Sequence, residues 1–374
     1  MTQDLLTLDN RSYASIAAAK REPAWLSQIR AEAVALAGKL PLPALEKTRI
    51  DRWDFGTTGE YRPSAPAADA SELPAEIANL LGTELNSNVL VQQDSGVVFV
   101  KMSPEAQSQG VILSSLEDAC ANHPELVQPY LFQAYRHDEH RLSALHAALW
   151  NGGLFLYVPR NVELKEPVQA IFYSASSEAT FAPHVLIVAE ANSSVTYVDN
   201  YLSAKTGAPA VHLGATEVFA KAGARVRAAT VHHLGGHITD VHYRRAVVEN
   251  DARVEWIAGE LSQGNAVADT YSVLRGRGGE TDMKVIAVGS GDQKLNYTTR
   301  AVHFGQATAS DMITRAVMRD EATAIINGIT KIEKGARKAD GQQTERVLML
   351  SPKARGDANP ILLIDEDDVA AGAA

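Results

Sequence analysis

The feature that most constrains this chain is a long series of short strands that begins at Leu154 and continues for about 200 residues. Each repeat is a turn of small residues followed by a segment of alternating apolar and polar residues. The repeats are ANSSVTYVD from residue 191, AGARVRAAT from 222, NDARVEWIAG from 250, GETDMKVIAVG from 279, ATASDMITRAVM from 307 and EATAIINGITKI from 321. Their starting points are 14 to 31 residues apart. This loose period favours a solenoid of stacked strands over a closed sandwich, with roughly 20 to 30 residues in each coil.

The series ends in two apolar strand candidates, Val347–Leu350 and Ile361–Ile364. A last strand without a successor leaves its N–H and C=O groups free to pair with another chain, so we predict a partner-binding edge here. The residues of this edge are Val347, Leu348, Met349, Leu350, Ile361, Leu362, Leu363 and Ile364. After them the chain becomes acidic and rich in alanine, which predicts that a helix starts near Asp365–Asp368.

The first 150 residues are predicted to be mostly helical. Apolar residues recur at helical spacing between Pro23 and Leu40, Ser115 is a candidate N-cap, and a further helix is expected through Tyr130–Trp150. Two short strands are predicted at 89–91 and 96–100. The sequence therefore divides into a mixed, mostly helical domain at 1–153, a strand domain at 154–363, and the start of a helical domain at 364–374.

Composition excludes several classes of protein. With 45% hydrophobic and 21% charged residues the chain is globular, and no apolar run approaches the roughly 18 residues that span a bilayer. The first 25 residues show no secretory signal, so we expect a cytoplasmic protein. A formal net charge of −10 argues against binding to nucleic acid or an anionic membrane and favours protein partners.

The sequence offers no catalytic, cofactor or metal motif. Its single cysteine, Cys120, is expected to be a buried apolar residue of a helix, and it excludes an intramolecular disulfide. The glycine-rich runs RGRGGE and VGSGDQ lack the pattern of a phosphate-binding loop and are interpreted as turns.

Histidines are concentrated in one segment, VHHLGGHITDVH, which contains His232, His233, His237 and His242. On a strand, His232 and His242 would face the same side and could approach metal ligands of a neighbouring strand. The spacing matches no compact metal motif, however, and no cysteine is nearby. We therefore expect solvent-facing or turn histidines here, and a structural histidine at His303 that bonds to a neighbouring coil.

Four groups of residues resemble one known family. They are REPAWL with LPLPALEKTRIDRW near the start, NGGLFLYVPRNVELKEPV from 151, DQKLNYTTRAVHFGQATASDM from 292, and the closing stretch from Ile326 to Val369. In this order they resemble the SufB/SufD family of iron–sulfur cluster assembly scaffolds, and the SufD branch more than the SufB branch. The resemblance implies a mainly β protein, with a right-handed parallel β-helix after a mixed N-terminal domain.

The resemblance also implies partners. Members are not enzymes by themselves; a SufD-like chain pairs with a SufB-like subunit through the ends of their β-helices, and a SufC-like ATPase binds the C-terminal helical domain. Two positions depart from the family. Glu345 or a neighbour lies where SufB-like members carry a cysteine, and Ala373 lies where SufD-like members usually carry a histidine. The chain stops at Ala374, which implies an impaired ATPase contact.

We therefore predict a non-catalytic Suf scaffold subunit that holds no stable iron–sulfur cluster by itself. The complex would handle the cluster, and the isolated chain could form a homodimer through the same edge. The alternative is a polysaccharide-active enzyme, a lyase or hydrolase, because β-helices also support those activities. Low aromatic content, 6%, and the missing signal sequence argue against that alternative.

Overall fold

The computed structural model describes residues 20–82 and 88–374, in which nineteen strands form two sheets, and most of these strands wind into a parallel β-solenoid of about eight turns. The prediction of a mainly β solenoid is confirmed. The search for a secretory signal rested largely on residues 1–19, which lie outside the described residues. The strands are β1 (Asn88–Gln93), β2 (Gly96–Lys101), β3 (Ile112–Ser114), β4 (Leu154–Val158), β5 (Val168–Ser174), β6 (His184–Ala189), β7 (Ser194–Ser203), β8 (Ala210–Ala220), β9 (Arg225–His233), β10 (Ile238–Val248), β11 (Arg253–Glu260), β12 (Ala266–Leu274), β13 (Glu280–Gly289), β14 (Lys294–His303), β15 (Ala309–Met318), β16 (Thr323–Ile332), β17 (Asp340–Met349), β18 (Arg355–Ile364) and β19 (Ala370–Ala373).

The strands form two facing sheets, and each coil contributes one strand to each sheet. One sheet has the order β19-β17-β15-β13-β11-β9-β7-β5-β1-β2, and the other has the order β18-β16-β14-β12-β10-β8-β6-β4-β3. Trp256 pairs with Met283, Met283 with Met312, and Met312 with Gln343, so successive coils contain 27, 29 and 31 residues. Among the strands from β4 to β19, neighbours within a sheet are parallel, as expected when each coil repeats the path of the one before.

One turn of each coil stacks on the same turn of the next coil. Asn192, Gly223, Asp251, Gly278, Ala307 and Lys338 all have a positive φ, between 54° and 71°. Within this column the N–H of Gly223 donates to the carbonyl of Asn250, and the N–H of Asp251 donates to the carbonyl of Arg277. Glycine, asparagine and aspartate tolerate this left-handed conformation best, which explains why small polar turns mark the repeat in the sequence.

The N-terminal region supplies the helices. They are α1 (Ala24–Ala37), α2 (Ala75–Leu81), α3 (Pro104–Ser108), α4 (Leu116–Asn122), α5 (Pro124–Val127) and α6 (Arg141–Leu149), with short 3₁₀ turns at Ile50–Arg52 and Ala70–Glu72. The N-cap predicted at Ser115 is confirmed, because its hydroxyl accepts from the Asp118 N–H at 3.0 Å. The strands predicted at 89–91 and 96–100 are confirmed as the antiparallel hairpin β1–β2, and β1 then pairs with β5. The N-terminal region therefore joins the solenoid sheets directly.

The helix predicted through Tyr130–Trp150 is wrong in its first half, since α6 begins only at Arg141. Phe132 has a positive φ of 60°, which interrupts a helix. The Glu217 carboxylate accepts the N–H groups of Phe132, Ala134 and Tyr135 at 2.8 to 2.9 Å. This buried contact holds the segment as a loop against β8, and local sequence periodicity could not reveal it.

Helices α1, α4 and α6 belong to the layer over the outer face of the sheet that contains β6, β8 and β10. Every residue of β8 is buried, because one face lines the solenoid and the other packs under this helical layer. On the opposite sheet α2 packs against β1, β2 and β5, whereas later strands are open on their outer face, and β13 alternates between buried and exposed residues. The solenoid thus has one wall covered by helices and one wall that faces solvent along its later strands.

The expectation of a helix after Asp365 is wrong. Residues Ala370–Ala373 form β19, which pairs with Asp340–Gln343 of β17 in parallel register. The N–H of Lys338 donates to the carbonyl of Asp368, so the acidic segment is stacked in the turn column described above. The coil geometry continues through these residues, and the pairing with β17 outweighs the local preference for a helix.

Candidate functional site

The predicted partner-binding residues lie on the last complete coil of the solenoid. β17 pairs with β15 along its whole length, but on its other side it pairs with β19 only through Asp340–Gln343. β18 pairs with β16, and no other described strand pairs with it. We call the unpaired second half of β17 and the unpaired side of β18, residues 346–350 and 355–364, the terminal edge.

The terminal edge is apolar and exposed. Thirteen large hydrophobic side chains in the described residues are strongly exposed, and six of them lie here: Leu348, Met349, Leu350, Leu362, Leu363 and Ile364. Val347 and Ile361 are half-buried. Contiguous exposed apolar residues at an unpaired strand edge are typical of an interaction surface. Pro360 has no N–H to donate, so pairing along β18 would rely on the residues on either side of it.

Glu345 lies at the mouth of the solenoid beside this edge. Its side chain points inward over Gly328, where an added Cβ would overlap the carboxylate. Neither carboxylate oxygen has a hydrogen-bond partner among the described residues, and burial raises the pKa of Glu345 to about 7. Ala373 pairs with Gln343, two residues before Glu345. The two positions that depart from the family pattern therefore lie on neighbouring strands of the same sheet.

A second polar region lies deep in the solenoid, where three successive coils direct polar side chains inward. On one wall the inward-facing residues are Tyr201 of β7, His232 of β9 and Glu260 of β11, which are aligned in register. On the other wall they are His212 and Thr216 of β8, and Asp240, His242 and Arg244 of β10. We call this group the interior cluster. All of its members are at most 3% exposed.

Hydrogen bonds connect most of the interior cluster. The Asp240 carboxylate bonds to His212 Nδ1 at 2.8 Å and to His232 Nδ1 at 2.9 Å. Arg244 donates to His232 Nε2 at 3.0 Å and forms an ion pair with Glu260 at 2.8 Å. The Tyr201 ring stacks on His232, with 4.4 Å between ring centroids. A fully buried group of this kind is stable only because most of its charges and polar atoms are paired.

The electrostatics keep two of the three imidazoles neutral. Burial lowers the pKa of His212 and lowers that of His242 further, well below the ordinary value for histidine. Burial opposes ionisation of Asp240, but His232 and the hydrogen bond from His212 hold its pKa well below the ordinary value. The cluster therefore combines an ionised carboxylate with neutral imidazoles that can accept hydrogen bonds or bind a metal ion.

The expectation of solvent-facing or turn histidines is wrong for His232 and His242, which are 0% and 1% exposed, whereas His233 is exposed as expected. The strand pattern correctly predicted that His232 and His242 face the same side, which is the interior of the solenoid. It did not predict that His212 and Asp240 face the same interior. Strand alternation gives the parity of His212, Asp240 and His242, but only the register between coils brings them together.

The other singled-out residues have structural roles. His303 is buried, and its two ring nitrogens each lie 2.8 Å from a hydroxyl, of Thr308 and of Ser310. Thr308 lies in the turn after β14, and Ser310 lies on β15, the first strand of the next coil, as predicted. Cys120 is fully buried in α4, as predicted. The two glycine-rich runs form turns between β12 and β13 and between β13 and β14, also as predicted.

Comparisons with known proteins identify the family. Residues 172–374 match the family model described as the SUF system FeS cluster assembly SufBD core domain, and residues 83–170 match the SufBD protein N-terminal region. The chain is 41% identical over 371 residues to the iron-sulfur cluster assembly protein SufD of Bacillus subtilis, covering 98% of this chain and 85% of that protein. It is 25% identical over 383 residues to a SufBD family protein of Pyrococcus horikoshii, covering 99% and 85% of the two chains. In the described ranges, no helix has the length and apolar character needed to span a bilayer. The chain belongs to the SufBD family and is a SufD-like member of it.

Proposed function

We propose that this chain is a non-catalytic scaffold subunit of a Suf iron–sulfur cluster assembly complex, which pairs with a SufB-like subunit and works with a SufC-like ATPase. Membership of the SufBD family and the name of the Bacillus subtilis relative support an assembly role. They favour the scaffold over the polysaccharide-active enzyme. The sequence also lacks a phosphate-binding loop, so the hydrolysis of ATP is assigned to the partner.

One observation carries the proposed mode of pairing, namely the terminal edge. β18 presents backbone N–H and C=O groups on its unpaired side, and six exposed apolar side chains surround them. A matching strand edge of a SufB-like subunit would extend both sheets and cover these side chains. The family relationship selects this partner, and the same geometry supports a two-fold homodimer when the partner is absent.

The edge would also give a partner access to the mouth of the solenoid. A partner docked on the terminal edge would bring its groups next to Glu345, whose carboxylate has no partner among the described residues. We propose that the isolated chain holds no stable iron–sulfur cluster, and that the cluster is handled by the assembled complex.

The test is co-expression with a SufB-like subunit, followed by size-exclusion chromatography with light scattering. Met349→Pro and Leu362→Pro each remove an N–H that faces the free side of its strand, because N–H groups at alternate positions bond to β15 and to β16, and we expect both to abolish the complex. Ile286→Glu is the matched control, because Ile286 is 59% exposed on β13, away from the terminal edge, and should leave the complex intact. An unchanged complex with both proline variants, or loss of the complex with the control alone, would contradict docking at this edge.

A further inference from the structure

The interior cluster contains two imidazole nitrogens that its hydrogen bonds do not use. His212 Nε2 and His242 Nδ1 are both buried, and neither has a hydrogen-bond partner among the described residues. Leaving a buried polar atom unpaired costs about 1–3 kcal/mol, so two such atoms side by side require an explanation. His303 shows the contrast, since both of its ring nitrogens bond to hydroxyls.

The two free nitrogens face the same space. A Cβ built on Gly214 would lie 2.3 Å from His242 Nδ1 and 2.6 Å from His212 Nε2, so both atoms converge beside the one inward-facing residue of β8 that has no side chain. The ligand atoms of His212, His232 and His242 all lie within 4.8 Å of one another. Zinc–nitrogen bonds of about 2.0–2.1 Å are within reach of this spacing after small rotations of the rings.

The opposite nitrogen of each ring is held as it is around a bound metal ion. His212 Nδ1 bonds to the Asp240 carboxylate at 2.8 Å, and His242 Nε2 bonds to the Thr216 hydroxyl at 2.9 Å. A carboxylate on Nδ1 fixes the proton there and leaves the lone pair on Nε2, which is the arrangement of most histidine ligands. Two carboxylates also lie beside the rings, since Asp240 bonds to His212 and His232 and Glu260 forms an ion pair with Arg244.

From this geometry we propose that His212 and His242 bind one divalent transition-metal ion inside the solenoid, with His232 as the third ligand. His232 Nε2 accepts from Arg244 at 3.0 Å, and Arg244 retains Glu260 and Thr270 as partners when the imidazole turns to the ion. A site with three imidazoles selects zinc or another first-row divalent ion over calcium or magnesium. This site is separate from the terminal edge and belongs to the chain itself.

The test is titration of the full chain, stripped of metal by a chelator, with Co²⁺, followed by displacement with Zn²⁺. We expect one equivalent of Co²⁺ with the visible absorption bands of a four-coordinate ion, and a Kd weakened more than about 100-fold in His212→Gln and in His242→Gln. Asp240→Asn, which alters only the support of a ligand, should weaken binding about 10- to 100-fold. His303→Gln is the matched control, because it changes a buried histidine of the same interior and should leave the Kd unchanged.

Circular dichroism and chromatography check that each variant is folded. If one histidine variant does not fold, the other variant and the stoichiometry of the wild-type chain still decide the question. The absence of bound Co²⁺ in the wild type would overturn the proposal. The proposal would also be overturned if the folded His212→Gln and His242→Gln variants still bound one equivalent of Co²⁺ tightly. The same holds if His303→Gln weakened Co²⁺ binding as much as they do.

Discussion

His232 in the middle of the solenoid and Glu345 in its last complete coil both direct a titratable side chain inward, yet their surroundings differ. His232 is sandwiched between coils on both sides and bonds to Asp240 and Arg244. Glu345 has a coil on one side, and its carboxylate has no hydrogen-bond partner among the described residues. Position along the stack, and not the type of strand, sets this difference.

The comparison separates two kinds of polar interior. In the interior cluster each charge has a partner from a neighbouring coil, so the group can be ionised and fully buried at once. At the mouth the missing neighbour removes those partners, and the terminal edge exposes the apolar residues that a further coil would cover. The same strand geometry therefore gives a closed site in one place and an open surface in the other.

The largest effect is expected from Arg244→Met, which would leave Glu260 buried without its ion pair. Breaking a buried ion pair from one side costs about 3–5 kcal/mol of unfolding free energy, measured by urea denaturation. Arg346→Met is the control at the exposed terminal edge and should change stability by less than about 0.5 kcal/mol. Equal losses of stability from the two substitutions would contradict the contrast between the buried interior cluster and the exposed terminal edge.

Gly214→Ala should lower the free energy of unfolding by about 1–3 kcal/mol, because the added methyl group would collide with His242 and His212 in the closed interior. Gly259→Ala is the control. Gly259 lies on β11, where a Cβ meets only Val231 and Thr230 at 3.7 Å or more, so alanine should be neutral or slightly stabilising. Thermal unfolding of both variants measures the difference, and a tolerated alanine at 214 would contradict the close approach of the two rings.

Glu345→Gln should stabilise the chain at pH 8 but not at pH 4. The folded pKa of Glu345, about 7, exceeds the ordinary value of 4.5, so the native state disfavours the ionised form. The penalty is absent below pH 4.5, grows as the pH rises to about 7, and is constant above that. Because the mouth is partly open to water, we expect Glu345→Gln to raise the free energy of unfolding by about 1–2 kcal/mol at pH 8. Denaturation curves at several pH values measure this gain. A pH-independent effect would show that Glu345 is not strained by burial.

Leu348→Asp should have the smallest effect on stability, within about 0.5 kcal/mol, because Leu348 is 58% exposed. Its effect should be on association, since a carboxylate at the terminal edge opposes burial against a partner strand. Light scattering of the chain with and without a SufB-like subunit measures this. A large loss of stability together with unchanged association would reverse the proposed roles of the two regions.

Much of the fold could be predicted from the sequence because the solenoid repeats a local pattern. The turn column with its positive φ values and the alternation of buried residues in strands such as β13 are visible one coil at a time. The loop at 130–140 and the strand β19 could not be predicted this way. Each depends on a contact with a distant strand, through Glu217 in the first case and β17 in the second.

The two candidate sites differ in the same respect. The exposed apolar strands of the terminal edge were predictable from the segments at 347–350 and 361–364, because their composition is a local property of the sequence. The interior cluster was not, since His212 and His232 belong to different sheets and meet only when two successive coils stack. The register between coils, with its steps of 27 to 31 residues, was too irregular to assign from sequence periodicity alone.

The stacking of coils also determines where the chain opens first. Among the described strands β18 pairs only with β16, whereas β10 pairs with both β8 and β12, so β18 should open more readily than β10. Amide hydrogen exchange should then be fastest at residues 355–364, and its rate should decrease from there toward β10. A partner that docks there would act as a cap on the stack, and the protection it confers would spread inward one coil at a time.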